Sequence, residues 1–148
     1  MIRRDQLQLS LQFADAQHRA ALPRHRVARW LCAALDTPAE ITVRLVSDGE
    51  GRQLNRDFRA SDHATNVLTF DYQHTPVVVA DLVLASGVLA REAAALGLRV
   101  ADHAAHLLVH GALHAQGLDH QDDAEAQAME ARERAILRGL GLHDPYRA

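Results

Sequence analysis

Three histidines late in the chain have the spacing of metal ligands. His110 and His114 lie four residues apart in a segment predicted as helix, which places both imidazoles on one helix face. Gly117 can adopt a positive φ, end the helix and turn the chain back toward the site, so that His120 follows as a third ligand. Three neutral imidazoles leave one position of Zn²⁺ open for water, which is typical of a catalytic site. We therefore predict one Zn²⁺, with nickel, cobalt or copper as alternatives.

The same histidine spacing occurs in metzincin proteases, but the protease chemistry is not reproduced. Those enzymes need a glutamate directly after the first histidine as the general base. Gly111 occupies that position here and carries no side chain. The sequence therefore favours a reaction for which a metal-activated water and an additional cation are sufficient.

Apolar patterning predicts the elements that position these histidines. Alternating or continuous apolar residues predict four strands, at 7–13, 41–45, 67–72 and 77–84. Helical spacing with end signals, including Ser47 and Ser86 as N-caps, predicts five helices, at 23–35, 47–58, 86–96, 101–116 and 123–138. The order β-α-β-α-β-β-α-α-α indicates one α/β (α+β) domain over 1–148, with a small mixed sheet and the metal site on a central helix.

Composition excludes several classes of protein. Cys32 is the only cysteine among 148 residues, so neither an internal disulfide nor a cysteine-rich zinc finger can form. No apolar run approaches the roughly 18 residues that a membrane span requires, and the N-terminus lacks an apolar signal core. These features predict a cytoplasmic protein.

Charge is distributed unevenly along the chain. Residues 1–60 carry ten arginines and seven acidic residues, a balance of +3, and residues 61–148 carry six arginines and twelve acidic residues, a balance of −6. The first half is predicted to form a basic surface for an anionic partner, with ordinary solvated faces as the alternative. Much of the acid lies on the last predicted helix, which we expect to be remote from the metal site.

Three segments resemble the YbeY family of bacterial endoribonucleases that mature ribosomal RNA. Residues 110–120 are similar to the family's HGxLHLxGYDH motif. Residues 54–59 resemble LNxxYR, residues 65–70 resemble TDVLSF, and residues 80–85 resemble GDIxIS. The order and spacing of the segments also agree, so the resemblance covers most of the chain. Its departures, at 66, 80, 85, 115, 116 and 118, remove none of the predicted ligands.

The resemblance implies roles for individual residues. It implies zinc ligands at His110, His114 and His120, with His114 and Arg59 taking part in catalysis. Arg59 follows a predicted helix and precedes a polar loop, and its planar guanidinium suits bidentate contact with a phosphate. The alternative for Arg59 is a surface salt bridge with a neighbouring aspartate.

Three further residues are predicted to support the site. Asp119 either orients a ligand imidazole or caps the turn before His120. Asp81, assigned mainly by the resemblance, plays a similar part or holds a loop. His106 precedes His110 by one helical turn and is expected to pack within the helix or to form a supporting hydrogen bond.

The resemblance implies a zinc-dependent, single-strand-specific endoribonuclease. Family members act in maturation of the 3′ end of 16S ribosomal RNA and in ribosome quality control, which implies the small ribosomal subunit or assembly factors as partners, and neither DNA nor a membrane. With three Phe, two Tyr and one Trp, the chain is expected to hold RNA chiefly through phosphate. The alternatives are a metal-dependent hydrolase of a peptide or small ester, and a non-enzymatic ribosome-assembly factor with a structural metal.

Overall fold

A four-stranded mixed sheet organises the chain in the computed structural model, which describes residues 1–58, 66–118 and 122–146. The strands are β1 (Leu7–Phe13), β2 (Ala39–Val46), β3 (Val67–Gln73) and β4 (Val78–Ala85). Their order across the sheet is β1-β2-β4-β3. β1, β2 and β4 are parallel, and β3 runs antiparallel to β4 at the edge. The predicted mixed sheet is confirmed.

Five α-helices accompany the sheet within the described ranges. They are α1 (Arg24–Ala34), α2 (Asp48–Phe58), α3 (Ser86–Leu96), α4 (Val100–Ala115) and α5 (Asp123–Gly139). Two short 3-10 segments, at Arg4–Gln6 and Ala16–Ala21, lie on either side of β1. The predicted order of strands and helices is confirmed. No helix in the described part of the chain is both long and apolar enough for a membrane span.

The two faces of the sheet are covered differently. The main core joins one face to α1 and α4, and most of α4 is buried. Gly111 allows α4 to pack closely on the sheet, since a Cβ there would lie 3.1 Å from Leu82 Cδ2 and 3.3 Å from Val67 Cγ2. On the other face, Leu54 of α2 packs against a smaller cluster that includes Leu68. The helices α4 and α2 therefore lie on opposite sides of the sheet.

The N-terminus of α3 is capped by a neighbouring helix. Asp48 Oδ1 accepts hydrogen bonds from Gly87 N at 2.9 Å and Val88 N at 3.1 Å. The prediction that Ser86 caps this helix is wrong, because Ser86 is its first residue and Ala85 holds the N-cap position. A carboxylate supplied from α2 replaces the local hydroxyl, a long-range contact that local sequence does not reveal.

These contacts also lower the pKa of Asp48. Burial, the largest single contribution, raises the pKa, but hydrogen bonds from Val88 N, the Arg91 side chain and Gly87 N together bring it below the ordinary aspartate value. The carboxylate is therefore stabilised in its ionised form where α2 meets α3.

Candidate metal centre

The last two turns of α4 bring two predicted ligands together. His110 and His114 have ring centroids 4.5 Å apart, and their Nε2 atoms are separated by 3.0 Å. Gly117 ends the helix with a φ of 90°, and its N–H donates to His114 O at 2.9 Å. The predicted positive φ at Gly117 is confirmed. The other predicted residues here, Arg59, Asp119 and His120, lie outside the described residues.

The two imidazoles fit a common metal ion. Zinc–nitrogen bonds are about 2.0–2.1 Å long, so two ligands of one tetrahedral ion lie about 3.3 Å apart. The observed Nε2–Nε2 separation of 3.0 Å is close to that value. No set of three histidine, cysteine or carboxylate side chains arranged for a metal occurs in 1–58, 66–118 and 122–146. The described ranges thus contain a two-histidine part of the predicted site.

A buried carboxylate on α5 contacts the Nδ1 side of the His110 ring. Glu133 is fully buried, and its Oε1 lies 2.5 Å from His110 Nδ1. Its Oε2 lies 3.1 Å from His106 Nε2 and accepts a hydrogen bond from the Tyr146 hydroxyl at 2.5 Å. An imidazole that donates Nδ1–H to a carboxylate presents the Nε2 lone pair to a metal. Glu133 therefore orients the ring of His110 for coordination through Nε2.

The surroundings keep Glu133 ionised. Burial raises its pKa most, but hydrogen bonds from His106 and His110, the charge of His110 and the hydrogen bond from Tyr146 together lower the pKa to about 2. Burial and the adjacent Glu133 carboxylate raise the pKa of Tyr146. The tyrosine therefore stays protonated and donates, and the glutamate stays ionised and accepts.

Sequence reasoning missed Glu133, although a signal was present. Met129, Glu133 and Leu137 are spaced by four residues and are all buried, so the acid lies on the apolar stripe of α5. An acidic residue at such a position needs a buried partner. The expectation that the acidic last helix is remote from the site is wrong for Glu133, which contacts His110 directly.

His106 is linked to His110 in two ways, by a shared hydrogen-bond partner in Glu133 and by an edge-on ring contact. Its ring lies 6.3 Å from that of His110, between centroids, and 6.2 Å from that of His103. His103 Nε2 in turn lies 2.9 Å from Glu92 Oε1, which accepts a further hydrogen bond from Asn66 Nδ2 at 2.6 Å. Histidines of α4 are thus hydrogen-bonded to acids of two flanking helices, Glu92 of α3 and Glu133 of α5.

Asp81 lies on the other side of the sheet. It neighbours Leu82, whose side chain points toward α4 at Gly111. Successive strand residues point to opposite faces, so Asp81 points away from α4. Its Oδ2 accepts a hydrogen bond from the Tyr72 hydroxyl at 3.0 Å. The structure does not bring Asp81 to the two histidines.

Comparison with known proteins gives consistent matches. The family model described as Endoribonuclease YbeY matches residues 6–141. The Endoribonuclease YbeY of Methylibium petroleiphilum is 67% identical over 140 residues, which cover 95% of this chain and 94% of that protein. The Endoribonuclease YbeY of Albidiferax ferrireducens is 59% identical over 146 residues, covering 96% of this chain and 99% of that protein.

A solved structure agrees in fold. The solution structure of TM1509 from Thermotoga maritima matches with a TM-score of 0.55 and 18% identity, over 95% of this chain and 99% of that one. At this identity the likeness supports the fold alone. It agrees with the single α+β domain described above.

Proposed function

The chain belongs to the YbeY endoribonuclease family, and on that basis we propose that it is a metal-dependent endoribonuclease acting on single-stranded RNA. The observation that carries the proposal is the 3.0 Å approach of the His110 and His114 Nε2 atoms, with Glu133 behind His110. The proposed substrate is ribosomal RNA, at the 3′ end of 16S RNA, in the cytoplasm and with the small ribosomal subunit or assembly factors as partners. The family resemblance supports this finer assignment.

We propose that His110, His114 and His120 hold one Zn²⁺ or a similar divalent ion. When bound, zinc lowers the pKa of a coordinated water toward about 7 and polarises a phosphoryl oxygen. The imidazoles suit zinc as neutral nitrogen donors, and the family motif supports His120 as the third.

Side chains of the protein orient the metal ligand and stabilise charge on the phosphate. Glu133 accepts the Nδ1 proton of His110 and fixes the ring, while Tyr146 and His106 hold the carboxylate in place. Arg59 is proposed to contact the scissile phosphate, where its guanidinium stabilises developing negative charge. These groups supply orientation and charge without the glutamate base that metzincins require.

Cleavage of RNA and of peptide by the same preparations tests the proposal. We expect the zinc-loaded native chain to cut single-stranded RNA and to leave peptide intact. Arg59→Ala and His114→Ala should both lose RNA cleavage, and only His114→Ala should lose metal. Arg29→Ala, an exposed position on α1, serves as the matched arginine control and should retain activity. Cleavage of peptide but not RNA would instead indicate a hydrolase of another class, and no cleavage of either would favour a non-enzymatic assembly factor.

A further inference from the structure

An open cleft lies on the sheet face opposite α4. It has a volume of about 160 Å³ and lies between β3, β4, α2 and α3. This volume is below the roughly 300–1,000 Å³ typical of pockets that hold a whole small ligand, so the cleft has room for one part of a larger ligand. It lies at the carboxyl ends of the parallel strands β2 and β4, where α/β sheets commonly bind ligands.

The lining of the cleft combines apolar side chains with two side-chain amides. Leu68, Val83 and Ala85 form an apolar part of the wall. The amides of Asn55 and Asn66 lie beside it and offer both hydrogen-bond donors and acceptors. Such a wall matches a nucleobase, which has flat apolar faces and a polar edge.

The two amides retain hydrogen-bonding capacity. Asn66 Nδ2 donates to Glu92 Oε1, which leaves the Asn66 carbonyl oxygen as an acceptor. Asn55 is exposed on α2, and its amide has no hydrogen-bond partner among the described residues. Asn55 and the carbonyl oxygen of Asn66 can therefore pair with a ligand while the Asn66–Glu92 hydrogen bond is kept.

The charges at the rim favour an anionic ligand. Arg91 and Asp48 form an ion pair at 3.1 Å, and Asp48 is further satisfied by backbone amides of α3. Arg52 also lines the cleft, is exposed, and forms no ion pair with any described residue. One uncompensated guanidinium therefore remains for a phosphate.

The cleft and the metal centre lie on opposite faces of the sheet, and the edge strand β3 contributes residues to both sides. Val67 of β3 points toward α4 at Gly111, and the next residue, Leu68, lines the cleft. In the sequence, Arg52 and Asn55 precede Arg59 by seven and four residues. An RNA strand that passes around the β3 edge of the sheet can therefore contact both the metal centre and the cleft.

From these contacts we propose that the cleft binds one nucleotide of the RNA substrate, outside the metal centre. The base packs on Leu68, Val83 and Ala85, its edge bonds to Asn55 and Asn66, and a phosphate contacts Arg52. This inference rests on the proposed endoribonuclease function. It assigns the cleft the readout of one base, whereas Arg59 is assigned to the scissile phosphate.

Binding of short fluorescent oligonucleotides tests the proposal. Fluorescence anisotropy is measured with metal-stripped full-length chain and single-stranded oligo(A), oligo(C), oligo(G) and oligo(U). Arg52→Ala should weaken all four about equally and reduce the slope of log affinity against log salt by about 0.7, the effect of one phosphate contact on a single strand. Asn55→Leu should change the ranking of the four, with a loss of about two- to tenfold for the preferred base.

Matched substitutions on the same helix serve as controls. Arg56→Ala and Gln53→Leu repeat the chemistry at exposed positions that do not line the cleft, and both should bind like the native chain. In cleavage assays Arg52→Ala and Asn55→Leu should raise KM with little change in kcat, and thermal unfolding should confirm that both variants are folded.

The outcomes separate this inference from the proposed function. A native chain that cleaves RNA, with Arg52→Ala and Asn55→Leu binding all four oligonucleotides as their controls do, would overturn the cleft assignment alone. A native chain that neither binds nor cleaves RNA would overturn both. Displacement of the oligonucleotide by an equal concentration of nucleoside monophosphates would contradict the assignment of the cleft to an RNA chain.

Discussion

Replacing Glu133 by glutamine tests how α5 contributes to the metal centre. The carboxylate is fully buried and meets three groups, His110 Nδ1, His106 Nε2 and the Tyr146 hydroxyl. Glutamine keeps the side-chain size but replaces one acceptor oxygen with an NH₂ donor. At least one of the three groups then faces another donor, and His110 loses the negative partner that fixes its Nδ1–H tautomer.

The expected loss is in metal affinity. Removing a partner that orients a metal ligand typically weakens metal binding by about 10–100-fold, which corresponds to about 1.4–2.7 kcal/mol. Glu133→Gln should therefore bind zinc about 10–100-fold more weakly than the native chain. Competition with a chromophoric chelator measures the affinity, and NMR of the imidazole nitrogens reports which tautomer His110 adopts.

A control on the same helix separates this effect from a general loss of charge. Glu130→Gln makes the same substitution three residues earlier, where no hydrogen bond to a histidine exists among the described residues. Its zinc affinity should match that of the native chain. Equal zinc affinity for Glu133→Gln and the native chain, with the His110 tautomer unchanged, would refute the role of Glu133 in orienting the ligand.

Three further substitutions have defined outcomes. Tyr146→Phe removes one hydrogen bond to Glu133 and should lower the free energy of unfolding in urea by about 1 kcal/mol, with a smaller loss of zinc affinity than Glu133→Gln; an unchanged stability would contradict the contact. Gly117→Ala places a Cβ at a φ of 90° and should cost about 1–2 kcal/mol, measured as a lower Tm. Asp48→Asn removes the negative charge that faces Arg91 and the N-terminus of α3, and should cost about 0.3–1 kcal/mol at neutral pH. Folding lowers the pKa of Asp48, so the stabilisation by its carboxylate is fully present above the unfolded value of about 3.9. That stabilisation is lost as the pH falls through the folded pKa. On acidification below about pH 4 the variant should therefore lose less stability than the native chain.

Local sequence patterns predicted the elements well, for a physical reason. Strand alternation and helix end signals depend on residues close in sequence, so β1 at 7–13 and the positive φ of Gly117 were both predicted correctly. The pairing of His110 with His114 was equally accessible, since four-residue spacing fixes which side chains share a helix face.

Contacts between distant residues were not accessible in the same way. Glu133 lies 23 residues from His110, and Asp48 lies 39 residues from the Gly87 amide that it caps. Both contacts depend on how helices are placed around the sheet, which periodicity does not specify. The close packing of α4 on β3 and β4 at Gly111 also depends on the placement of a helix on the sheet, because it requires a residue without a side chain at that point. For Glu133 alone the sequence carries a signal, an acidic residue on the apolar stripe of α5.

Metal stoichiometry tests the central claim most directly. Elemental analysis of the purified native chain, before and after stripping and reloading with zinc, should give one ion per chain. His114→Ala should take up little or none under the same conditions while remaining folded, because one of the two Nε2 atoms 3.0 Å apart is removed. A native chain that takes up no zinc or similar divalent ion, or a His114→Ala variant that loads one ion with native affinity, would contradict the account.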